Sequence, residues 1–236
     1  MVHFSFVTDL REPGSMKPRR AVLLWTLGLV VWLALTVSVA ASGPPTGLDR
    51  EAARSIAASV TSSDYDWSIP ITDLGGVYVI VTVLAVAAGA LVSLRRWREA
   101  VVLVLAVSVT QVAVQLTKAL VDRPRHGLGP LTEFADFSYP SGHAATSMAL
   151  YGLLVWFASR SIGGRVRIAL AVVATVLVLA VGASRVYLGA HYPSDVVGGW
   201  LAGALCAAAV YAVATRALSP QRDRRGQRDP ARSRAA

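Results

Sequence analysis

Residues 21–41 read AVLLWTLGLVVWLALTVSVAA, twenty-one positions without a charge. A helix crosses a bilayer with roughly 20 mostly apolar residues, so this run predicts a first membrane span. Working outward, Leu74–Leu94 and Ala100–Thr117 predict a second and a third. Ala144–Ser159, Ile168–Ser184 and Val196–Thr215 are shorter apolar cores whose ends run into polar residues. Lipid offers no partner to an unpaired backbone group, and the period-2 alternation of a membrane barrel is not seen. The predicted fold is therefore all-α, a six-transmembrane-helix bundle. Composition points the same way. The 236 residues are 54% hydrophobic and 16% charged, with mean hydropathy +0.53. That is too little charge for a water-facing surface and too much apolar surface for a disordered chain.

Lys and Arg set the predicted orientation. With the N-terminus in the cytoplasm, 17 of the 23 basic residues fall inside, whereas 9 of the 14 acidic residues fall outside. Both termini are thus expected to be cytoplasmic, and the net charge of +9 reads as a topology signal, with no nucleic acid as partner. Residues 1–20 form a basic cytoplasmic segment, 21–216 the membrane domain, and 217–236 an Arg-rich tail expected to be disordered. Ala41-Ser42-Gly43 resembles a signal cleavage site, but the preceding uncharged run exceeds a typical signal core, so the span is read as retained. Cys206 is the single cysteine and lies in the last span, so no disulfide forms within the chain.

The outer segment 42–73 begins with Pro44-Pro45 and carries Asp49, Glu51, Asp64, Asp66 and Asp73. Leu48, Ala52, Ile56 and Val60 recur at helical spacing, which predicts a short surface helix; a solvated connector is the competing reading. Tyr65 and Trp67 suit an interface. Gly199 and Gly203 form a small-xxx-small pair, expected to mark close helix packing and not by itself a dimer. Oligomeric state is left open. No pair of spans reads as discontinuous or broken by Gly and Pro.

Polar residues gather where a bundle should be apolar. Lys118 closes the third span, His143 opens the fourth, Arg185 closes the fifth and Asp195 opens the sixth, all at the outer face. Charges clustered at one membrane depth mark a functional site. Lys118, Arg125 and Arg185 are three cations with few acids nearby, a set suited to a phosphoryl group. Pro140-Ser141-Gly142-His143 stands where the fourth helix starts, offering free N–H groups and a glycine that lets an anion approach. His191 and Asp195 are four apart, which puts both on one side of a helical turn. A carboxylate on one imidazole nitrogen leaves the other free to attack, while His143 can protonate the leaving oxygen and later activate water. Arg123 and Asp122 read as a solvated loop pair. Phe134, Phe137 and Tyr139 read as interfacial anchors or as walls of a lipid entry, and the sequence does not separate the two.

Lys118-x6-Arg125, Pro140-Ser141-Gly142-His143 and Ser184-Arg185-x5-His191-x3-Asp195 resemble the three-part signature of the type 2 phosphatidic acid phosphatase superfamily, which includes the vanadium haloperoxidases. The resemblance implies that His191 is a nucleophile forming a phosphohistidine, that Asp195 orients it, and that His143 is the general acid. It implies that Lys118, Arg125, Ser141, Gly142 and Arg185 hold the phosphoryl oxygens, with no metal and no cofactor. His126 stands where the family usually has Pro, and reads as an exposed loop histidine. The expected activity is metal-independent removal of a terminal phosphate from a lipid at the outer leaflet of the cell membrane. Polyprenyl diphosphate, phosphatidylglycerophosphate, phosphatidate and other prenyl-linked phosphates are the expected substrate range. A lipid phosphotransferase with the same intermediate, and a silent lipid-binding or transport protein, are the alternatives.

Overall fold

The computed structural model describes residues 18–42, 47–125 and 137–217. His126, Phe134, most of the basic N-terminal segment and the Arg-rich tail lie outside the described residues. The described residues form eight helices and no strand, an all-α arrangement. The helices are α1 (Pro18–Ser42), α2 (Leu48–Ser59), α3 (Ser62–Asp73), α4 (Val77–Ser93), α5 (Trp97–Val121), α6 (Gly142–Ser159), α7 (Gly164–Tyr187) and α8 (Pro193–Ala217). Each apolar run of the sequence coincides with a long helix. Four of them, α1, α5, α7 and α8, are long and apolar enough to cross a membrane, and the bent pair α3–α4 makes a fifth if it counts as one span. Large apolar side chains such as Leu23, Val37, Val112 and Val173 are exposed on these helices, as lipid contact demands and water would penalise.

Helix α6 is not among the helices long and apolar enough to cross a membrane, and it faces protein. It packs against α5, α7 and α8, and Ala144, Ala145, Ala149 and Leu150 are completely buried. Its crossing with α8 is set by glycine. A Cβ at Gly199 would lie 2.5 Å from the Ser141 carbonyl oxygen, and one at Gly203 would lie 2.2 Å from that of Ala145. The small-xxx-small pair therefore serves packing inside the chain. Helix α1 is tied to α8 by two indole N–H donors, Trp25 Nε1 to the Leu205 carbonyl and Trp32 Nε1 to the Gly198 carbonyl, each at 3.1 Å. These bonds, with α1 packed along α8, make it a working part of the bundle.

The outer segment holds two helices. The spacing of Leu48, Ala52 and Ile56 does give α2, and the connector reading fails there. The sequence did not predict α3, since SSDYDWSIPITD has no apolar period and carries Pro70 inside the helix. Packing supplies what the pattern lacks: α3 lies on α7, burying Ser68 and Thr72, with the Trp67 ring 5.1 Å from that of Tyr187. A bend stands at the start of the second predicted span. Helices α3 and α4 meet at 43° across Leu74-Gly75-Gly76. Gly75 permits this turn to sit deep in the bundle, because a Cβ there would come within 2.4 Å of Val181 Cγ1 and 3.3 Å of His143 Cβ.

Candidate active site

The polar end of the bundle is assembled from the last turn of α5, the start of α6, the end of α7 and the turn into α8. Lys118, in the last turn of α5, is buried and donates from Nζ to the Phe137 carbonyl. Arg125 follows in the loop and donates from Nη1 to the Ala190 carbonyl at 2.5 Å. Arg185, in the last turn of α7, is 4% exposed and donates to Thr72 Oγ1 at 2.9 Å, so the unpredicted helix α3 helps to hold it. His143 opens α6 within the electrostatic field of Arg185, His191, Arg125 and Lys118.

Ser141 is the N-cap of α6; its side chain accepts from the Ala144 N–H at 3.5 Å, and its own N–H donates to the Asp195 carbonyl at 2.9 Å. That last bond joins the starts of α6 and α8. Gly142 is not forced by its surroundings, since an added Cβ would meet only Val114 at an ordinary 3.7 Å. A glycine without a steric reason at a helix N-terminus fits backbone approach to an anion.

His191 does not lie on a helical face, as the spacing suggested. It stands in the turn before α8, which begins at Pro193. Asp195 reaches back over that turn: Oδ2 accepts the Tyr192 N–H at 2.9 Å and lies 3.5 Å from His191 Nδ1. On the other side of the ring, His191 Nε2 is 3.4 Å from Arg125 Nη1. The imidazole thus has a carboxylate at one nitrogen and the Arg125 guanidinium at the other. Burial pushes the His191 pKa down to about 4, against the pull of Asp195 and with help from Arg185 and Arg125. At neutral pH the ring is uncharged, the state a nucleophile needs.

Behind Asp195 lies a layer absent from the sequence reading. Arg123 is not a solvated partner of Asp122; it is 4% exposed and paired with two carboxylates. Its Nη1 donates to Asp195 Oδ1 and, at 2.8 Å, to Ser194 Oγ, while Nη2 donates to Asp49 Oδ2 at 2.7 Å. Asp49 comes from α2 and also accepts the Ser194 N–H at 3.1 Å and the Ser194 hydroxyl. Ser138 Oγ donates to Asp195 Oδ2, and the Tyr192 ring lies 4.4 Å below the guanidinium. Burial alone would lower the Arg123 pKa, but the two carboxylates outweigh it and raise it. Asp122 is exposed and takes the left-handed C-cap of α5, at φ 50°. Tyr139 is fully buried with Oη 2.9 Å from Thr36 Oγ1 on α1, so it is an interior strut, whereas Phe137 stays exposed. The one available signal for Arg123 was its place two residues before Arg125; Asp49, Thr72 and Ser138 carried none.

Comparison with known proteins accords with this layout. The sequence profile of the PAP2 superfamily matches residues 99–218, which contain every predicted site residue. Phosphatidylglycerophosphatase B of Bacillus subtilis is 26% identical over 137 residues, covering 57% of this chain and 68% of that protein. A crystal structure of a transmembrane PAP2-type phosphatidylglycerolphosphate phosphatase from Bacillus subtilis superposes with TM-score 0.73 at 21% identity, covering 84% of this chain and 98% of the other. The crystal structure of Aquifex aeolicus LpxE gives TM-score 0.55 at 24% identity, over 71% of this chain and 96% of the other. The two structures speak to the fold, and the profile to the lineage: this chain belongs to the PAP2 superfamily and is a membrane phosphatase of that family.

Proposed function

We propose that this phosphatase hydrolyses a lipid phosphate monoester or diphosphate through a phosphohistidine on His191. The observation that carries the reading is the setting of one buried imidazole, with Nε2 3.4 Å from Arg125 and Nδ1 3.5 Å from Asp195. Lys118, Arg125 and Arg185, with the N–H groups at Ser141 and Gly142, hold the phosphoryl oxygens. His191 Nε2 attacks phosphorus and the bond to the ester oxygen breaks, with that oxygen taking a proton from His143. Water then attacks the phosphorus, giving its proton to His143, and the N–P bond breaks to release inorganic phosphate. Asp195 stabilises the imidazolium that exists between the two steps. The oxygens meet fixed cations throughout, and such positioning with charge stabilisation supplies most of what phosphoryl transfer requires. A pocket lined by three cations suits an anion and disfavours a metal ion, which supports metal-independent turnover.

Six crossings with both termini in the cytoplasm put the site at the outer leaflet, a placement supported by the basic residues gathered on the opposite side. The membrane domain then spans 21–216, with 1–20 and 217–236 as its cytoplasmic extensions. A scissile bond at headgroup depth favours a lipid substrate, and the relative named for phosphatidylglycerophosphate makes that lipid the first to try, ahead of phosphatidate and polyprenyl phosphates. The test is phosphate release by detergent-purified protein in EDTA across these lipids, with His191→Ala alongside. Release that survives EDTA and drops by about a thousandfold in the variant is expected. Release that needs metal, or that persists without His191, overturns the reading.

A further inference from the structure

The buried layer behind Asp195 joins the catalytic turn to a helix at the far end of the sequence. Asp49 is on α2, the first described element outside α1, and Ser194 is 145 positions later. Between them the Arg123 fork closes a circuit: Asp49 Oδ2 to Nη2, Nη1 to Asp195 Oδ1, and Ser194 bridging Asp49 and Nη1. The side chains of Arg123, Asp49 and Asp195 are 4%, 16% and 0% exposed, so screening by solvent is weak.

The charge count of this circuit is uneven. Two carboxylates share one guanidinium, which leaves a net negative charge next to a neutral His191. When Nε2 forms its bond to phosphorus, the ring becomes an imidazolium whose positive charge faces Asp195 through Nδ1–H. The excess negative charge is thus matched in the phosphoenzyme and not in the resting state, which is the differential stabilisation that accelerates a step. Neutralising Asp49 would let Arg123 cancel Asp195 alone and remove that excess, without touching Lys118, Arg125 or Arg185. We propose that Asp49 and Arg123 are positioning residues for phosphoryl transfer, acting through Asp195 on His191, so that surface helix α2 is part of the catalytic apparatus. This inference rests on the phosphohistidine reading.

Steady-state kinetics of the full chain in detergent, on the lipid phosphate it turns over best, test the circuit. Asp49→Asn is nearly isosteric and is expected to lower kcat by about ten- to a hundredfold while KM stays within about twofold, as for a misplaced catalytic group. Asp49→Glu and Arg123→Lys, which keep charge, should each recover part of the loss seen in Asp49→Asn and Arg123→Ala. In an Asp195→Asn background, adding Asp49→Asn should cost nothing further, because the path runs through Asp195. A wild-type kcat in Asp49→Asn, an equal loss in both backgrounds, or a change confined to KM would overturn the proposal. If Asp49→Asn fails to fold, Ser194→Ala removes the bridging hydroxyl and should lower kcat about threefold, a loss scaled to one hydrogen bond; an unchanged kcat there is equally fatal. His191→Ala runs beside every variant. Turnover without His191 sinks the underlying mechanism, whereas a dead His191→Ala with a normal Asp49→Asn sinks the circuit alone.

Discussion

His191 shows how one side chain is prepared by its surroundings. Its ring is 2% exposed, and burial holds its pKa at about 4, well below the ordinary value near 6.5. A depressed pKa keeps the neutral, nucleophilic form down to that pH, and activity is lost as pH falls through the folded value. Once the ionisations of the substrate and of the proton donor His143 are divided out, kcat/KM should therefore stay level from pH 7 to about pH 5 and fall tenfold per unit below about 4. An acid limb centred near 6.5 would mean that His191 is solvated in the working enzyme. At this scale the sequence was legible where chemistry is local. Lys118, Arg125, Ser141, Gly142, His143, Arg185, His191 and Asp195 lie in three short runs, and their residue types announce an anion site. Arg123 was misread because a charged residue beside another charge in a loop usually faces water. Its partner Asp49 is 74 positions away, and no periodicity links the two.

At the scale of elements, the site is only as good as the α6–α8 crossing, which joins Ser141 to the Asp195 carbonyl. Gly199 and Gly203 were legible as a packing pair, and the structure gives the reason in backbone oxygens that leave no room for a Cβ. Gly203→Val is expected to force the two helices apart, lowering stability by about 1–3 kcal/mol and activity with it. Thermal unfolding in detergent measures the first and phosphate release the second; a stable, active Gly203→Val would show that the helices have slack. By contrast α3 was invisible to pattern reading. Its helix depends on burying Ser68 and Thr72 against α7, a tertiary reward that overrides the proline and the poor apolar period. The bend after it was equally hidden, since Gly75 and Gly76 fall inside the predicted second span, Leu74–Leu94.

For the whole molecule, the apolar runs foretold where the long helices lie, because lipid selects on the simplest property of a sequence. They foretold less about α6, whose neighbours are the protein helices α5, α7 and α8. The basic residues make the orientation testable. With Cys206 replaced by Ala, a single cysteine at Glu51 should react with a membrane-impermeant maleimide from outside intact cells, and one at Gly163 should react after lysis only. The reverse pattern would invert the bundle and move the site to the cytoplasmic leaflet.

The closure of Asp49 onto Ser194 also has a consequence in time. A chain is made from its N-terminus, so the carboxylate on α2 waits for nearly the whole membrane domain before its partners exist. Arg123 likewise waits for Asp195, and the cations of α5 and α7 for the histidine that follows them. Under the proposed mechanism, a half-synthesised chain therefore carries the cations of the site without its nucleophile. On that mechanism the enzyme is born silent, and activity waits for the turn at 191–195.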